Sequence, residues 1–170
     1  MKRMLFPLLA VLFISLLFGC ARTHPDNAAA PVTNGFTCQA SIHYHELELQ
    51  GQLSRQTDGK LLMAFTAPKS LTGITLGWDG NHMTMELGGM GVAVPTEKVP
   101  QGALIQRLLQ VLCAPHTNGT VTDEGYVVTG EIDGQPYTFV CDPDTGLPRS
   151  LSLPEEELEA VFSQASLLTK

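Results

Sequence analysis

The chain has few basic residues. Its 170 residues include 10 Lys and Arg against 17 Asp and Glu, which gives a net charge of −7. A protein that holds nucleic acid or anionic lipid headgroups electrostatically needs a patch of Lys and Arg, and the sequence contains no cluster of that kind. We therefore expect no nucleic-acid partner.

Cysteine is also scarce, and its spacing excludes the common cysteine motifs. Apart from Cys20, the chain contains Cys38, Cys113 and Cys141. These spacings fit neither a zinc site nor a CxxC redox motif. Outside the cytoplasm two of the three could form a disulfide, and the sequence does not choose among the pairings. Unpaired buried thiols are an equally good interpretation.

The residue patterns of nucleophilic enzymes are missing as well. No serine lies in the Gly-x-Ser-x-Gly turn that presents a nucleophile. His43 and His45 could share a metal ion with Glu46 or Glu48, but spacing fixes no third ligand. We interpret both histidines as exposed strand residues. The sequence therefore predicts a protein that is not an enzyme and has neither a cofactor nor a metal site.

No apolar run is long enough to favour a permanent membrane span. The longest runs from Met4 to Phe18 after the basic Lys2 and Arg3, whereas a transmembrane helix needs about 20 apolar residues. A basic start followed by a short apolar run is typical of an export signal that is later removed. We assign residues 1–19 to a signal peptide.

The end of this run, Leu17-Phe18-Gly19-Cys20, resembles a bacterial lipobox, although Phe18 replaces the usual small or β-branched residue. In that family the cysteine sulfur receives a diacylglyceryl group and the cysteine becomes the first residue of the mature chain. The resemblance implies lipidation of Cys20, incorporation of palmitate and a diacylglyceryl anchor on the extracytoplasmic face of a membrane. Either a Gram-positive cell membrane or an outer membrane fits. The alternative is an ordinary export signal with a chance cysteine.

The rest of the chain divides into a tether and one domain. Residues 21–35 contain two prolines, small residues and no hydrophobic period, which is typical of a flexible tether. Residues 36–170 have the size of one domain. We therefore expect a signal peptide at 1–19, a lipidated cysteine with its tether at 20–35, and one domain at 36–170.

The domain is rich in strand patterns. Apolar and polar residues alternate from Phe36 to Tyr44, and the alternation changes parity past Glu46, which we interpret as a bulge or bend near His45. Asp-Gly pairs mark hairpin turns. The alternation around them predicts strands at 60–66, 74–78, 82–87, 119–124, 126–133, 136–141 and 149–153. The glycine-rich segment 88–95 is instead interpreted as a rim loop.

Two segments have a helical period. In 103–113 apolar residues cover most of the circumference and leave Gln106, Arg107 and Gln110 as a polar stripe, so this helix should be largely buried. Pro154 and three glutamates precede a second apolar face, which predicts a C-terminal helix. The expected fold is α+β: a curved antiparallel sheet of about eight strands, a half-barrel wrapped around one hydrophobic helix, with a C-terminal helix.

Two fragments of the chain combine strands with particular turns: "LLMAFTAPKSLTGITLGWDGN" and "YTFVCDPDTGLPRSL". They resemble the LolA/LolB lipoprotein-carrier superfamily and its anchored LppX-like relatives. The resemblance implies a curved half-barrel, closed by helices, whose apolar hollow shelters acyl chains. The soluble carriers have a long helix before their first strand, and this sequence has a tether there.

The resemblance predicts that the domain binds or handles lipid or lipoprotein acyl groups at the membrane surface. Methionines near Trp78 agree with this, since methionine is flexible and suits a cavity that adapts to varied chains, although it also fills ordinary cores. The expected cavity lining is Met63, Phe65, Trp78, Met83, Met85, Leu104 and Leu108. The alternative is a non-enzymatic surface module that recognises a protein or an envelope polymer, or assists an export or sporulation complex, through its polar face and residues 88–95.

Overall fold

The computed structural model describes residues 31, 34–100, 103–114, 116 and 118–168. The predicted signal peptide, Cys20 and nearly all of the predicted tether lie outside these residues. The strands are β1 (Phe36–Tyr44), β2 (Leu47–Arg55), β3 (Leu61–Ala67), β4 (Ile74–Trp78), β5 (His82–Leu87), β6 (Met90–Pro95), β7 (Gly119–Thr122), β8 (Gly125–Ile132), β9 (Gln135–Cys141), β10 (Pro148–Leu153) and β11 (Leu158–Leu167). One α-helix, α1 (Leu104–Leu112), lies between β6 and β7 in the chain.

All the strands belong to one antiparallel sheet of 11 strands, in the order β6-β5-β4-β3-β2-β1-β11-β10-β9-β8-β7. Two meanders, β1 to β6 and β7 to β11, meet where β1 pairs with β11. The edge strands β6 and β7 do not pair with each other, so the curved sheet stays open. Since the chain leaves one edge after β6 and returns at the other edge with β7, the segment containing α1 crosses between them.

The core lies between the sheet and this helix. Along β1 the side chains of Phe36, Cys38, Ala40 and Ile42 are buried, and those of the intervening residues face outward. The buried leucines of α1 pack into the same cluster. Burial of one leucine contributes about 1.5–3 kcal/mol, so this contact holds the helix on the sheet. The structure therefore agrees with the expected half-barrel around one hydrophobic helix.

Among the described helical segments, none combines the length and the apolar character that crossing a membrane requires.

The predicted C-terminal helix is wrong. After a single 3-10 turn at Pro154–Glu156, Glu157 adopts a left-handed conformation with φ 49° and the chain continues as β11. Leu158, Ala160 and Phe162 are buried, whereas Glu159 and Val161 are exposed, which is the alternation of a strand. Pairing with both β1 and β10 overrides the helical spacing of the same apolar residues.

Two connections also differ from the sequence predictions. The change of parity near His45 is a hairpin turn, with φ 53° at His45, rather than a bulge or bend within one strand. Residues 90–95 form the edge strand β6, paired with β5 along its whole length, rather than a loop. Gly88 and Gly89 supply the positive φ angles of the turn between these strands, which is why the segment is rich in glycine.

Candidate functional site

An apolar hollow of about 230 Å³ lies between the start of α1 and the sheet, and we call it the first hollow. Its lining is entirely apolar: Ile42, Met63, Phe65, Leu76, Ala103, Leu104, Ile105 and Leu108. Strands β1, β3 and β4 supply one wall, and α1 with the preceding alanine supplies the other. A polar group placed here would lose its hydration without gaining a hydrogen bond, so the hollow suits a hydrocarbon.

The structure distributes the seven predicted lining residues over several places. Four of them line the first hollow: Met63, Phe65, Leu104 and Leu108. Trp78 lines a second hollow of about 260 Å³ on another side of α1. Met83 is 8% exposed and belongs to the core, whereas Met85 is 46% exposed and lies on an uncovered part of the sheet.

Sequence reasoning missed three strand and helix residues of the first hollow, which are Ile42, Leu76 and Ile105. The strand alternation contained a signal for two of them. Leu76 shares a face of β4 with Trp78, and Ile42 extends the buried face of β1. The position of α1 along these strands, which decides where the hollow opens, has no comparable signal in the sequence.

The apolar face of the sheet continues beyond α1 onto the edge hairpin β5–β6. Met85, Leu87, Met90 and Val92 are between 46% and 76% exposed and line a surface groove of about 270 Å³. We call these four residues the apolar strip. Met85 pairs with Leu76 across β4 and β5, and directly paired residues share a face, so the strip continues the lining of the first hollow. Contiguous exposed apolar surface is typical of contact sites on proteins.

An ion-pair network fastens α1 to the β7–β11 half of the sheet. The Arg107 side chain is 7% exposed, and its Nη2 lies 2.6 Å from Oε1 of Glu156, while its Nε donates to Oε2 at 2.9 Å. Its Nη1 lies 2.6 Å from Oδ2 of Asp133. Burial alone would lower the pKa of Arg107, but the hydrogen bonds to Asp133 and Glu156 raise it above its usual value. The guanidinium therefore stays charged.

The three cysteines of the described domain are free thiols. Burial raises the pKa of Cys38 and of Cys141 to about 12, and burial also raises the pKa of Cys113. Because the thiolate is the nucleophilic form, these groups are poor nucleophiles at neutral pH. The sequence leaves open either a disulfide between two of these cysteines or unpaired thiols, and the structure contains unpaired thiols.

The histidines considered as metal ligands contact different carboxylates. His43 Nδ1 lies 2.7 Å from Oε1 of Glu48, the residue opposite it on β2. His45 Nδ1 lies 3.5 Å from Oε2 of Glu157. Within the described ranges, no three His, Cys, Asp or Glu side chains are grouped so that they could hold a metal ion. Exposed polar pairs account for both histidines.

The chain matches no protein-family model and no curated protein sequence. Among solved structures it resembles an uncharacterised conserved protein from Thermus thermophilus, with 12% identity, 82% of each chain covered and a TM-score of 0.51. A LolA superfamily protein from Nitrosomonas europaea has 10% identity, covers 83% of this chain and 89% of its own, and has a TM-score of 0.44. One chain in a structure of the CwlD amidase from Clostridioides difficile in complex with the GerS lipoprotein has 13% identity, with 100% of this chain and 96% of that chain covered and a TM-score of 0.42. The first likeness shows a shared fold, and the other two scores are too low to carry an argument.

Proposed function

We propose that this protein is a lipid-anchored extracytoplasmic lipoprotein, with a LolA-like domain that binds acyl groups at the membrane surface without catalysis. The observation that carries the proposal is the first hollow, whose lining is wholly apolar and continues into the exposed apolar strip. The resemblance of the sequence to the LolA/LolB superfamily supports the same function. Anchoring through Cys20 rests on the lipobox resemblance alone.

The size of the first hollow limits what it holds. At about 230 Å³ it is smaller than the pockets of roughly 300–1,000 Å³ that enclose whole small ligands. One segment of an acyl chain therefore occupies it, and the remainder of the chain lies along the apolar strip. Each methylene removed from water contributes about 0.8 kcal/mol, so affinity rises with chain length until this surface is covered.

A pair of matched substitutions tests the proposal. Ala103→Phe places a ring in the lining of the first hollow, whereas Ala93→Phe adds the same ring to the exposed edge strand β6. Ala93 follows Val92 in β6 and so lies on the face opposite the apolar strip. Native mass spectrometry measures bound lipid after the delipidated proteins are exposed to a membrane extract. Wild type and Ala93→Phe should carry acyl lipid, and Ala103→Phe should lose most of it.

A wild-type protein that remains empty would contradict acyl binding. That result would favour the second candidate function, recognition of a protein partner, for which the specific observation is the exposure of the apolar strip on the β5–β6 hairpin. The two functions separate in this experiment because a module that uses the strip alone leaves the first hollow empty.

A further inference from the structure

The edge strand β6 lacks most of the features that keep an exposed strand from pairing with another chain. Native edge strands are usually protected by charged residues, by bulges or by being very short. The other edge strand, β7, has only 4 residues. By contrast, β6 has 6 residues without a charge, and it pairs with β5 without a register shift. Its one protective residue is Pro95, which lies at its end. Most of β6 is therefore able to pair with a further strand.

The pairing with β5 shows which backbone groups of β6 face outward. In an antiparallel pair, residues that exchange hydrogen bonds alternate with residues that do not. At the end of this pair, the Thr96 N–H donates to the Asn81 carbonyl at 2.8 Å. Every second residue counted back from Thr96, which includes Val92, therefore bonds to β5. Gly91 and Ala93 direct their N–H and C=O groups toward the free edge, where the described sheet provides no partner strand.

These two outward-facing residues are complementary to a second copy of themselves. When two copies of β6 lie antiparallel with Val92 opposite Val92, Gly91 of each copy lies opposite Ala93 of the other. Each of these pairs exchanges two hydrogen bonds, so about four backbone hydrogen bonds join the copies. The arrangement has two-fold symmetry, which is the commonest symmetry of protein dimers.

The same register aligns the apolar strip of one copy with that of the other. Leu76, Met85 and Val92 lie opposite one another across β4, β5 and β6, and directly paired residues share a face. With Val92 against Val92, this apolar row continues into the second copy in reverse order. Met90, which is 76% exposed in the single copy, then lies opposite Val94. Because Leu76 lines the first hollow, the row connects the first hollows of the two copies.

The charge of the chain does not oppose this contact. The net charge is −7, yet Glu86 is the one acidic residue between His82 and Pro95, the limits of the β5–β6 hairpin. In the two-fold register the Glu86 residues of the two copies lie about 16 Å apart, given the spacing of strands and the rise per residue. The Debye length is about 8 Å at physiological ionic strength, so their repulsion is largely screened.

We propose that β6 and the apolar strip form a homodimer interface, in which two copies pair edge to edge and their sheets become continuous. A second copy is favoured over an unrelated strand because its outward backbone groups, its apolar row and its lack of charge all match this edge in one register. The contact involves about six residues of each copy, against roughly 20–30 in a standard interface. The dimer is therefore weak and forms as the concentration rises. This inference does not depend on acyl binding.

Cysteine substitutions test the register. The two copies of Val92 form a pair without mutual hydrogen bonds, whose Cα atoms lie about 4.5 Å apart, a distance that suits a disulfide. Met90 provides the matched control, since its two copies lie about 14 Å apart in this register. With oxidised glutathione, purified full-length Val92→Cys should form linked dimers about tenfold faster than Met90→Cys, although Met90 is the more exposed residue. A mixture of Met90→Cys and Val94→Cys should cross-link as well.

Charge substitutions at the two-fold axis test the contact without oxidation. Sedimentation velocity of the full-length wild-type protein should show a growing dimer fraction as the concentration rises. Val92→Lys and Val92→Glu each place like charges directly opposite, so each variant alone should stay monomeric. An equimolar mixture of the two should restore the dimer. His82→Lys adds the same charge on the opposite face of β5, where the side chain is exposed, and should dimerise like wild type.

Three results would overturn the inference. The first is a wild-type protein that stays monomeric at every concentration. The second is equal cross-linking of Val92→Cys and Met90→Cys, which random collisions of exposed thiols produce. The third is a dimer that survives in both Val92→Lys and Val92→Glu, which places the contact elsewhere on the molecule. Circular dichroism verifies that each variant keeps its strands, and the wild-type sedimentation result needs no variant.

Discussion

At the scale of single residues, Asp142 organises the turn between β9 and β10. Its Oδ1 accepts from the backbone N–H of Asp144 at 3.1 Å and from the N–H and hydroxyl of Thr145 at 2.9 and 2.8 Å. Its Oδ2 lies 2.6 Å from Nη2 of Arg149. Burial alone would raise the pKa of Asp142, but these hydrogen bonds outweigh it and lower the pKa to about 2. The sequence Asp142-Pro143-Asp144-Thr145-Gly146 allows this turn to be predicted, because an aspartate at the start of such a segment favours backbone hydrogen bonds of this kind.

Asp142→Asn should lower the free energy of unfolding by about 1–2 kcal/mol at neutral pH. The pKa falls from 3.8 to about 2 on folding, each unit corresponds to about 1.36 kcal/mol, and solvent screens part of the effect because the side chain is 27% exposed. Since the folded pKa is the lower one, this stabilisation is complete above about pH 4 and is lost as the pH falls toward about 2. Urea unfolding of both proteins across this range measures it.

Asp144→Asn is the matched control, because Asp144 contributes its backbone N–H to the turn rather than its carboxylate. It should leave stability nearly unchanged. An equal loss in Asp144→Asn, or a difference between wild type and Asp142→Asn that persists at about pH 2, would show that the charge of Asp142 is not the cause.

At the scale of secondary-structure elements, the sequence predicts which face of a strand or helix is apolar better than it predicts which element packs against that face. Met63 and Phe65, which strand alternation puts on the apolar face of β3, line the first hollow, as do Leu104 and Leu108, which the helical period puts on the apolar face of α1. Met85 follows the same alternation and yet stays exposed, because no part of α1 covers β5 there. Residues 158–167 fit both periods, and only pairing with β1 and β10 makes them a strand. Such choices depend on tertiary contacts that no local window contains.

Arg107 connects α1 to Asp133, in the turn between β8 and β9, and to Glu156, in the 3-10 turn before β11. The helical period predicts that Arg107 lies on a polar stripe, and it does not predict this buried network. Arg107→Met should destabilise the protein by about 3 kcal/mol, because it leaves the Glu156 side chain, 15% exposed, without its buried counter-charge. The double variant Arg107→Met with Glu156→Leu should recover most of this loss, since apolar replacement of a whole buried pair is often neutral. Thermal and urea unfolding of the two variants measure both effects.

Glu156→Gln provides the graded control for this network. The Arg107 guanidinium then keeps its contact with Asp133, so the loss should be smaller than for Arg107→Met. If Arg107→Met unfolds at the same denaturant concentration as wild type, α1 is held by its apolar contacts alone and the network contributes nothing to its position.

At the scale of the whole molecule, the first hollow and the apolar strip have one geometric origin. Strands lie about 4.8 Å apart, so the sheet of 11 strands is about 48 Å wide along its curve. A helix of 9 residues is only about 14 Å long. It therefore covers at most about a third of that width, and the apolar face of β4 to β6 extends beyond it. The sequence predicts many strands but only one largely buried helix. A single helix is too small to cover the apolar face of so many strands, which indicates a sheet that is covered only in part.

The predicted anchor at Cys20, which lies outside the described residues, would hold the first hollow and the apolar strip near a membrane. If residues 21–35 form the predicted tether, their root-mean-square span is on the order of 20 Å, so the domain stays close to the lipid surface. The surface that α1 leaves uncovered is then within reach of membrane lipids. This placement depends entirely on the acylation of one thiol.

Cys20→Ser should abolish incorporation of radiolabelled palmitate and either move the protein from the membrane fraction to the soluble fraction or leave it unprocessed. The physical reason is that burial of each acyl methylene contributes about 0.8 kcal/mol, and two chains together are needed for stable anchoring. Cys113→Ser is the matched control, because it removes a thiol of the folded domain and should leave both labelling and fractionation unchanged. A wild-type protein that takes up no palmitate, or a Cys20→Ser protein that keeps the label, would exclude anchoring through Cys20.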